Sequence, residues 1–321
     1  MNHSILITLP LKDTHIEKIR SAFPGSDIHF FPGDHTVTEH QRECTVYLGL
    51  PTREEIHASP KLMFIQAGYA GVDALPAEVL RDPEIIIASA KGIHNTQMSE
   101  LFFAMVLYCG RNMPAWDVQK RRREWNKEPV KQSFFLGGKT LCIVGYGTIG
   151  KKIAMIAQTF DMRVTGVRSR VHPDERTTDP FTDEVIPTDE LQEILPDSDI
   201  VLNLLPLTPS TKNFFNGERF GMMKNGSMFV NLGRGGTVVD TALIKIIDRG
   251  VLRCAALDVF REEPLPGDHP FWNHPRILMT PHIGGLMPDY WGAVADIFIE
   301  NMKRFNKGAE LLNVVDKDKG Y

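Results

Sequence analysis

Cysteine is scarce in this chain and poorly placed for bonding. Cys44, Cys109, Cys142 and Cys254 are scattered over 321 residues with no Cys-x-x-Cys spacing. That excludes a disulfide scaffold and a thiolate zinc ribbon. Three of the four lie inside apolar runs, where a free thiol packs as a small hydrophobe, and the pattern suits a reducing compartment. The cytoplasm is the expected location. Long hydrophobic runs are missing too: Leu101 to Cys109 is roughly half of what a bilayer span needs. The first residues, Met1-Asn2-His3-Ser4-Ile5-Leu6-Ile7, have neither the basic region nor the apolar length of a signal peptide, so no membrane association is expected. Nor is there an excess of positive charge. Lys and Arg number 36 against 40 Asp and Glu, a net charge of −4, which provides no broad field for nucleic acid. The one basic cluster, Lys120-Arg121-Arg122-Arg123, reads as a helix C-terminus or a solvated face. Metal-ligand spacing is also absent: His269 and His274 stand in a proline-rich loop rather than at helical i, i+4 positions, and no metal is expected.

What the chain does have is alternation. Ile5–Leu9, Ile28–Phe31, Thr45–Leu50, Leu62–Gln66 and Ile85–Ser89 read as short buried strands, with Ile16 and Ile19 at helical spacing between the first two. Asn95 and Thr96 are placed to cap a helix whose apolar body runs from Leu101 to Cys109. A polar segment, Arg111 to Gly138, follows. A second series then opens: Leu141–Val144, Arg163–Val167, Ile200–Leu205, Met228–Leu232, Ala255–Val259 and Ile277–Thr280 as strands, closed by a helical segment from about Asp289 to Phe305. A length of 321 residues is long for one core. Two βα series therefore predict two α/β domains, each a doubly wound parallel sheet.

The second series begins with a phosphate-binding pattern. Leu141–Val144 runs into Gly145-Tyr146-Gly147-Thr148-Ile149-Gly150, and Lys151–Phe160 reads as a helix. Gly145 permits the tight turn, Gly147 lets the backbone approach a pyrophosphate, and Gly150 lets helix and strand pack closely. The amides around Thr148 and Ile149 would point at phosphate oxygens from a helix N-terminus. A site for NAD places Asp or Glu at the tip of the next strand, on the ribose hydroxyls. Here that strand ends in Arg168-Ser169-Arg170. Two guanidiniums and a hydroxyl suit a 2′-phosphate, so NADP(H) is the expected cofactor, with NAD(H) second.

Three further segments each follow a strand of the second series. Asn231-Leu232-Gly233-Arg234-Gly235-Gly236 carries an arginine, Asp258-Val259-Phe260-Arg261-Glu262-Glu263-Pro264 a glutamate, and Thr280-Pro281-His282-Ile283-Gly284-Gly285 a histidine. Strand C-termini of a parallel sheet open onto one edge, where ligands bind. In the first domain, Gln66-Ala67-Gly68-Tyr69-Ala70-Gly71-Val72-Asp73 follows a strand, and its small residues let backbone amides meet a carboxylate.

With these segments in order, together with Leu136-Gly137-Gly138-Lys139-Thr140 and Leu205-Pro206-Leu207-Thr208-Pro209, the chain resembles the D-isomer-specific 2-hydroxyacid dehydrogenase family over essentially its whole length. The resemblance implies a Rossmann cofactor domain (98–285) inserted into a flavodoxin-like substrate domain (1–97 and 286–321), paired as a homodimer. It carries the family's catalytic roles onto Arg234, Glu263 and His282. The cofactor set becomes Gly145, Tyr146, Gly147, Thr148, Ile149, Gly150, Arg168, Ser169, Arg170, Leu205, Pro206, Thr211, Leu232, Gly233, Asp258, His282 and Gly284, with Asp258 at the position that holds the nicotinamide carboxamide. Tyr69, Ala70, Gly71 and Arg234 fall to the substrate. The chemistry agrees with these roles. Reducing a 2-keto acid requires a hydride at C2 and a proton at the carbonyl oxygen. Imidazole titrates nearest working pH, a carboxylate bonded to it would fix its tautomer and stabilise its cation, and Arg234 offers forked donors to a carboxylate or a polarised carbonyl.

Departures from the family pattern leave the substrate open. Met98 and Ser99 stand where many relatives have Val-Ala, and Tyr290 and Trp291 are bulky for the segment after His282. Formate dehydrogenases of the same fold use Gln where this chain has Glu263, which favours a reaction needing acid–base help. The expected substrate is a small 2-keto acid, glyoxylate or hydroxypyruvate first. The alternatives are D-lactate, phosphoglycerate or phosphite oxidation, or a dinucleotide-sensing corepressor on the same fold. His94 could line the cleft, but it reads first as a neighbour of the capped helix, and no role is assigned to it.

Overall fold

The computed structural model describes residues 2–72 and 74–317; Asp73, which closes the first-domain loop quoted above, and the last residues of the expected substrate domain lie outside them. The chain divides into two compact units, 1–93 with 287–321, and 94–286. The first break falls before the helix Asn95–Gly110, not inside it as the expected boundary at 97/98 would have it. The reason lies in the side chains. Phe102, Phe103, Met105 and Val106 of that helix pack in one core with Leu141, Ile143, Ile200 and Leu202 of the second sheet.

The first unit is built on strands β1 (Ser4–Ile7), β2 (Asp27–Phe30), β3 (Val46–Leu48), β4 (Phe64–Gln66) and β5 (Ile86–Ala88), all parallel, in the order β2-β1-β3-β4-β5. That is the flavodoxin-like order. Both faces are covered, as a parallel sheet requires. Ile5, Ile7, Val46 and Leu48 point into a core with Phe298 and Met302 of the helix Tyr290–Asn306, while Leu6, Tyr47, Ile65 and Ile87 point into the opposite one.

The second unit holds β6 (Thr140–Val144), β7 (Arg163–Arg168), β8 (Glu184–Pro187), β9 (Ile200–Asn203), β10 (Ser227–Asn231), β11 (Leu252–Leu257) and β12 (Ile277–Met279), ordered β12-β11-β10-β9-β6-β7-β8 and again parallel. Counted from β6, this is the 3-2-1-4-5-6 Rossmann order with a seventh strand added. The chain reverses direction across the sheet between β6 and β9, and the dinucleotide crevice of such a sheet opens there.

Among the elements that went unforeseen, two bear on the edges of the second unit. β8 is a four-residue edge strand ending in Pro187, and its outer side is crossed by Arg176, which bonds Glu184 and Glu190 at 2.7 Å each. Short, charged and proline-bearing segments are how sheets finish their edges, and such a segment lacks the apolar run that marks an inner strand. The polar stretch after Arg111 contains a helix, Met113–Arg122, with Pro114 in its first turn. Its last turn carries Lys120, Arg121 and Arg122, the basic complement to a helix C-terminus. The helix Asn95–Gly110 is preceded by His94 as its N-cap, with no side-chain cap, so Asn95 and Thr96 lie inside it. The four cysteines are free, three of them buried. Among the described residues no helix is long and apolar enough to cross a membrane, and no cluster of His, Cys, Asp and Glu is arranged to hold a metal.

Candidate active site

The glycine loop occupies the reversal point of the second sheet. Gly145 follows β6 with φ +94°, and a Cβ there would stand 2.8 Å from the Leu204 carbonyl carbon, so the turn out of β6 lies directly on the turn out of β9. Gly147 is the N-cap of the helix Thr148–Gln158, and a Cβ on it would meet nothing closer than 4.0 Å. The first helical amides, those of Thr148, Ile149 and Gly150, have no acceptor within the helix. Open space above Gly147 in front of three outward amides is the geometry a pyrophosphate fits. Gly150 sits close under the loop, its would-be Cβ 3.1 Å from Ile143 of β6.

Tyr146 has a different role from its neighbours. Its ring is 2% exposed and lies flat on Gly166 of β7, where any Cβ would come within 2.6 Å. The hydroxyl donates to Asp179 Oδ1 at 3.0 Å and the amide to Val167 O at 2.9 Å. With ring, hydroxyl and amide all engaged, Tyr146 shapes the loop.

At the end of β7, Arg168 is half-buried and 3.8 Å from Glu175, and its Nε is buried without a hydrogen-bond partner. Ser169 and Arg170 are exposed beside it. No carboxylate of the β7 tip takes the ribose position, and an orphaned guanidinium nitrogen is what a phosphate oxygen would satisfy.

Glu263 and His282 meet. His282 Nδ1 stands 2.6 Å from Glu263 Oε2, and Glu263 Oε1 accepts the Phe260 amide at 2.8 Å. His282 adopts φ +53°, in the left-handed region, and Asp258 holds it there. The Asp258 carbonyl accepts the His282 amide at 2.8 Å. The buried Asp258 carboxylate takes the Thr280 hydroxyl at 2.6 Å and the Ile283 and Gly284 amides at 2.9 and 2.8 Å. A left-handed non-glycine residue persists only when its surroundings over-determine it. Here one aspartate secures the turn on both sides of the imidazole, so Asp258 organises the histidine turn, and Gly284 is engaged by that turn.

Arg234 lies just past β10. Its carbonyl accepts the Thr237 hydroxyl at 2.6 Å and the Asn231 side-chain amide at 3.3 Å, and its Nη1 donates to Gly233 O at 2.9 Å. Gly235 next to it approaches the 260 turn so closely that a Cβ would fall 1.9 Å from the Phe260 carbonyl carbon. The arginine-bearing and glutamate-bearing turns are thus in backbone contact. Leu205 and Leu232 are buried and Pro206 is half-buried, while Thr211 bonds Pro206 O at 2.6 Å across its own turn.

In the first unit, Tyr69 is 44% exposed, edge-on to Trp291 with ring centroids 5.7 Å apart. Tyr290 donates to Gly68 O at 2.9 Å. Among the described residues no acceptor takes the amides of Tyr69, Ala70 or Gly71.

Sequence reasoning passed over three groups. Asn203 ends β9 in register with Asn231 of β10; two asparagines closing adjacent apolar strands are a readable signal. Thr237 carries no pattern of its own. His94 reads in the sequence as a helix-end neighbour. It is 8% exposed, with Gly285 so close that a Cβ there would meet its ring at 2.5 Å. Burial, assisted by the Arg234 guanidinium, pulls its pKa down to about 4.

Comparison with known proteins is consistent with this geometry. The family described as "D-isomer specific 2-hydroxyacid dehydrogenase, NAD binding domain" matches residues 103–284. A glyoxylate/hydroxypyruvate reductase A of Photorhabdus laumondii is 34% identical over 260 residues, 78% of this chain and 79% of the relative. A D-3-phosphoglycerate dehydrogenase of Methanocaldococcus jannaschii is 31% identical over 265 residues, 83% of this chain; the match spans about half, 49%, of that longer relative. Among solved structures, a D-isomer specific 2-hydroxyacid dehydrogenase of Xanthobacter autotrophicus in complex with NADPH superposes with a TM-score of 0.86 at 26% identity, covering 100% of both chains. An NADPH-dependent glyoxylate/hydroxypyruvate reductase of Sinorhizobium meliloti with bound NADP gives a TM-score of 0.82 at 25% identity, over 99% of each chain.

Proposed function

The chain belongs to the D-isomer-specific 2-hydroxyacid dehydrogenase family, and on that premise we propose that it transfers a hydride between NADP(H) and a small 2-keto or 2-hydroxy acid, with glyoxylate or hydroxypyruvate as the substrate. The observation that carries this reading is the Glu263–His282 pair at 2.6 Å. It stands in a turn at the edge of a Rossmann-ordered sheet, with the second ring nitrogen of the histidine left to a substrate.

Bound NADPH supplies the hydride that reaches C2 of the keto acid. The chain's own residues do the rest. Glu263 accepts from Nδ1 of His282 and stabilises the imidazolium, whose Nε2 proton passes to the carbonyl oxygen as C2 is reduced, and the neutral ring regains one from solvent. In the oxidative direction the same nitrogen accepts it. Arg234 binds the carboxylate or polarised carbonyl of the acid, and the amides of Tyr69, Ala70 and Gly71 form an anion-accepting turn in the first unit. Thr148, Ile149 and Gly150 at the helix N-terminus take the pyrophosphate, and Arg168 with Ser169 and Arg170 takes the 2′-phosphate. The NADPH and NADP complexes of the Xanthobacter and Sinorhizobium relatives support that cofactor, and the reductase names among the relatives support the substrate.

The reading includes a cytoplasmic homodimer. Trp125, Phe135 and Val130, exposed to 94%, 57% and 47%, cluster in one stretch of the cofactor unit and suit burial against a second copy. A spectrophotometric screen of 2-keto acids, with NADPH and NADH in parallel, tests the activity. Rapid NADPH oxidation with glyoxylate or hydroxypyruvate is expected. A folded, NADPH-binding protein that reduces none of the acids would overturn it.

A further inference from the structure

Behind Arg234 lies a buried polar cluster that touches neither of the reacting turns' charged groups. Asn203, Asn231 and Thr237 are each at most 1% exposed. Asn203 and Asn231 are register partners at the ends of β9 and β10. The Asn203 side-chain amide donates to Asn231 Oδ1 at 2.9 Å and to Thr237 Oγ1 at 2.7 Å. Its own carbonyl oxygen accepts the Leu205 amide at 3.1 Å, and Asn231 Oδ1 also accepts the Gly233 amide at 3.1 Å. The cluster then converges on one atom: Thr237 Oγ1 at 2.6 Å and Asn231 Nδ2 at 3.3 Å both donate to the carbonyl oxygen of Arg234.

Burying three polar side chains at the centre of a sheet costs stability unless every group is paired. Apolar residues would fill that space without this cost. The bonds also divide by destination. The two asparagine oxygens fix the turns after β9 and β10, which carry the Leu205 and Gly233 backbone. The threonine hydroxyl reaches only Asn203 and the Arg234 carbonyl.

We infer that Asn203, Asn231 and Thr237 form a positioning relay that sets the backbone of Arg234, and that its last member, Thr237, governs the grip on the acid substrate separately from the cofactor. The inference rests on the assignment of Arg234 to the substrate. Arg234 sits in extended backbone, φ −139° and ψ +138°, between a flexible side chain and a turn. Its carbonyl is held by the Thr237 hydroxyl at 2.6 Å, the Thr237 amide at 3.2 Å and the Asn231 side-chain amide at 3.3 Å, and the hydroxyl makes the shortest of these bonds. Small misplacements of a binding group cost up to about 10²-fold in kcat/KM.

Thr237→Val keeps the shape and removes the hydroxyl. It is expected to raise KM for the keto acid about tenfold, the worth of one hydrogen bond with its geometry, while the NADPH dissociation constant stays within twofold. Thr237→Ser, which keeps the hydroxyl, restores the wild-type KM. Asn203→Ala disturbs both turns and weakens acid and NADPH together. Thr237→Ala replaces the valine variant should that fail to fold. Arg234→Gln is measured alongside. If it raises KM and Thr237→Val does not, the relay is wrong and the substrate assignment stands. If Arg234→Gln leaves KM unchanged, the substrate assignment falls and takes the relay with it. A valine variant that loses NADPH as strongly as it loses the acid, or a serine variant no better than valine, also overturns the inference.

Discussion

Glu263 reaches His282 with one carboxylate oxygen, 2.6 Å from Nδ1, and holds the Phe260 amide with the other at 2.8 Å. The carboxylate is therefore fixed at both ends, and the imidazole it holds has a defined tautomer. His282→Ala removes the proton donor and is expected to lower kcat by roughly 10²–10⁴. Glu263→Gln keeps a hydrogen bond but loses the charge opposite the imidazolium, which donates in reduction and is formed in oxidation, so its loss is smaller than that of His282→Ala and falls on both directions. Steady-state rates in both directions measure this, with NADPH affinity followed by fluorescence as the control. A His282→Ala enzyme with undiminished kcat would remove the proton-transfer role.

The clamp proposed for the 2′-phosphate makes a prediction about cofactor choice. Arg168 ends β7 with a buried, unpartnered Nε and only a long contact, 3.8 Å, to Glu175. Arg168→Asp places a carboxylate where a phosphate is expected and a ribose hydroxyl is welcome. NADPH affinity should fall by roughly 10- to 100-fold, the worth of charged hydrogen bonds, while NADH affinity changes by less than about threefold. Titrations with the two nucleotides decide it; equal losses for both would show that Arg168 supports the loop and not the phosphate.

Legibility in the sequence followed how local the cause was. The glycine loop was readable because each glycine answers a short-range demand: the φ of +94° at Gly145, the open space over Gly147, the tight contact at Gly150. The inner strands were readable because burial on both faces imposes an apolar run. β8 was not, since an edge strand needs no such run. The two asparagines closing β9 and β10 are legible, but Thr237, in the turn after β10, joins them only in the folded chain. The place of the Tyr146 ring was equally hidden: it packs on Gly166, 20 residues on, a contact no local motif announces.

His94 makes stability depend on pH. Its ordinary value is 6.5, and burial beside Arg234 lowers it to about 4. Above pH 6.5 the ring is neutral folded or unfolded. Between pH 6.5 and about 4 the unfolded chain takes up a proton that the folded chain refuses, so stability falls as the pH drops through that window. The full shift corresponds to about 3 kcal/mol. His94→Asn loses packing at every pH but should show a flatter decline from pH 7 to pH 4.5 than the parent protein. Urea midpoints across that range are the measurement; parallel curves would mean that the ring is protonated in the folded state.

Gly235 ties the arginine turn to the glutamate turn, and its replacement should separate them. The glycine has no unusual φ, so the requirement is space alone. A Cβ would stand 1.9 Å from the carbonyl carbon of Phe260 and 2.0 Å from its oxygen. Neither partner can yield cheaply. Gly235 O accepts the Val238 amide at 2.9 Å, and the Phe260 amide is bonded to Glu263. Moving either backbone shifts Arg234 or the carboxylate that holds His282. Gly235→Ala should therefore cost about 3 kcal/mol or more and lower Tm by roughly 6–12 °C, and the surviving folded enzyme should lose kcat/KM along with stability. Gly221→Ala provides the contrast. That glycine lies within the helix Gly217–Met222 with nothing within 4 Å of its Cβ position, so alanine there should stabilise by about 0.5–1 kcal/mol without touching activity. Thermal melts and initial rates on both variants separate the two cases: if Gly235→Ala melts with the parent protein, the contact between the turns is not the constraint described.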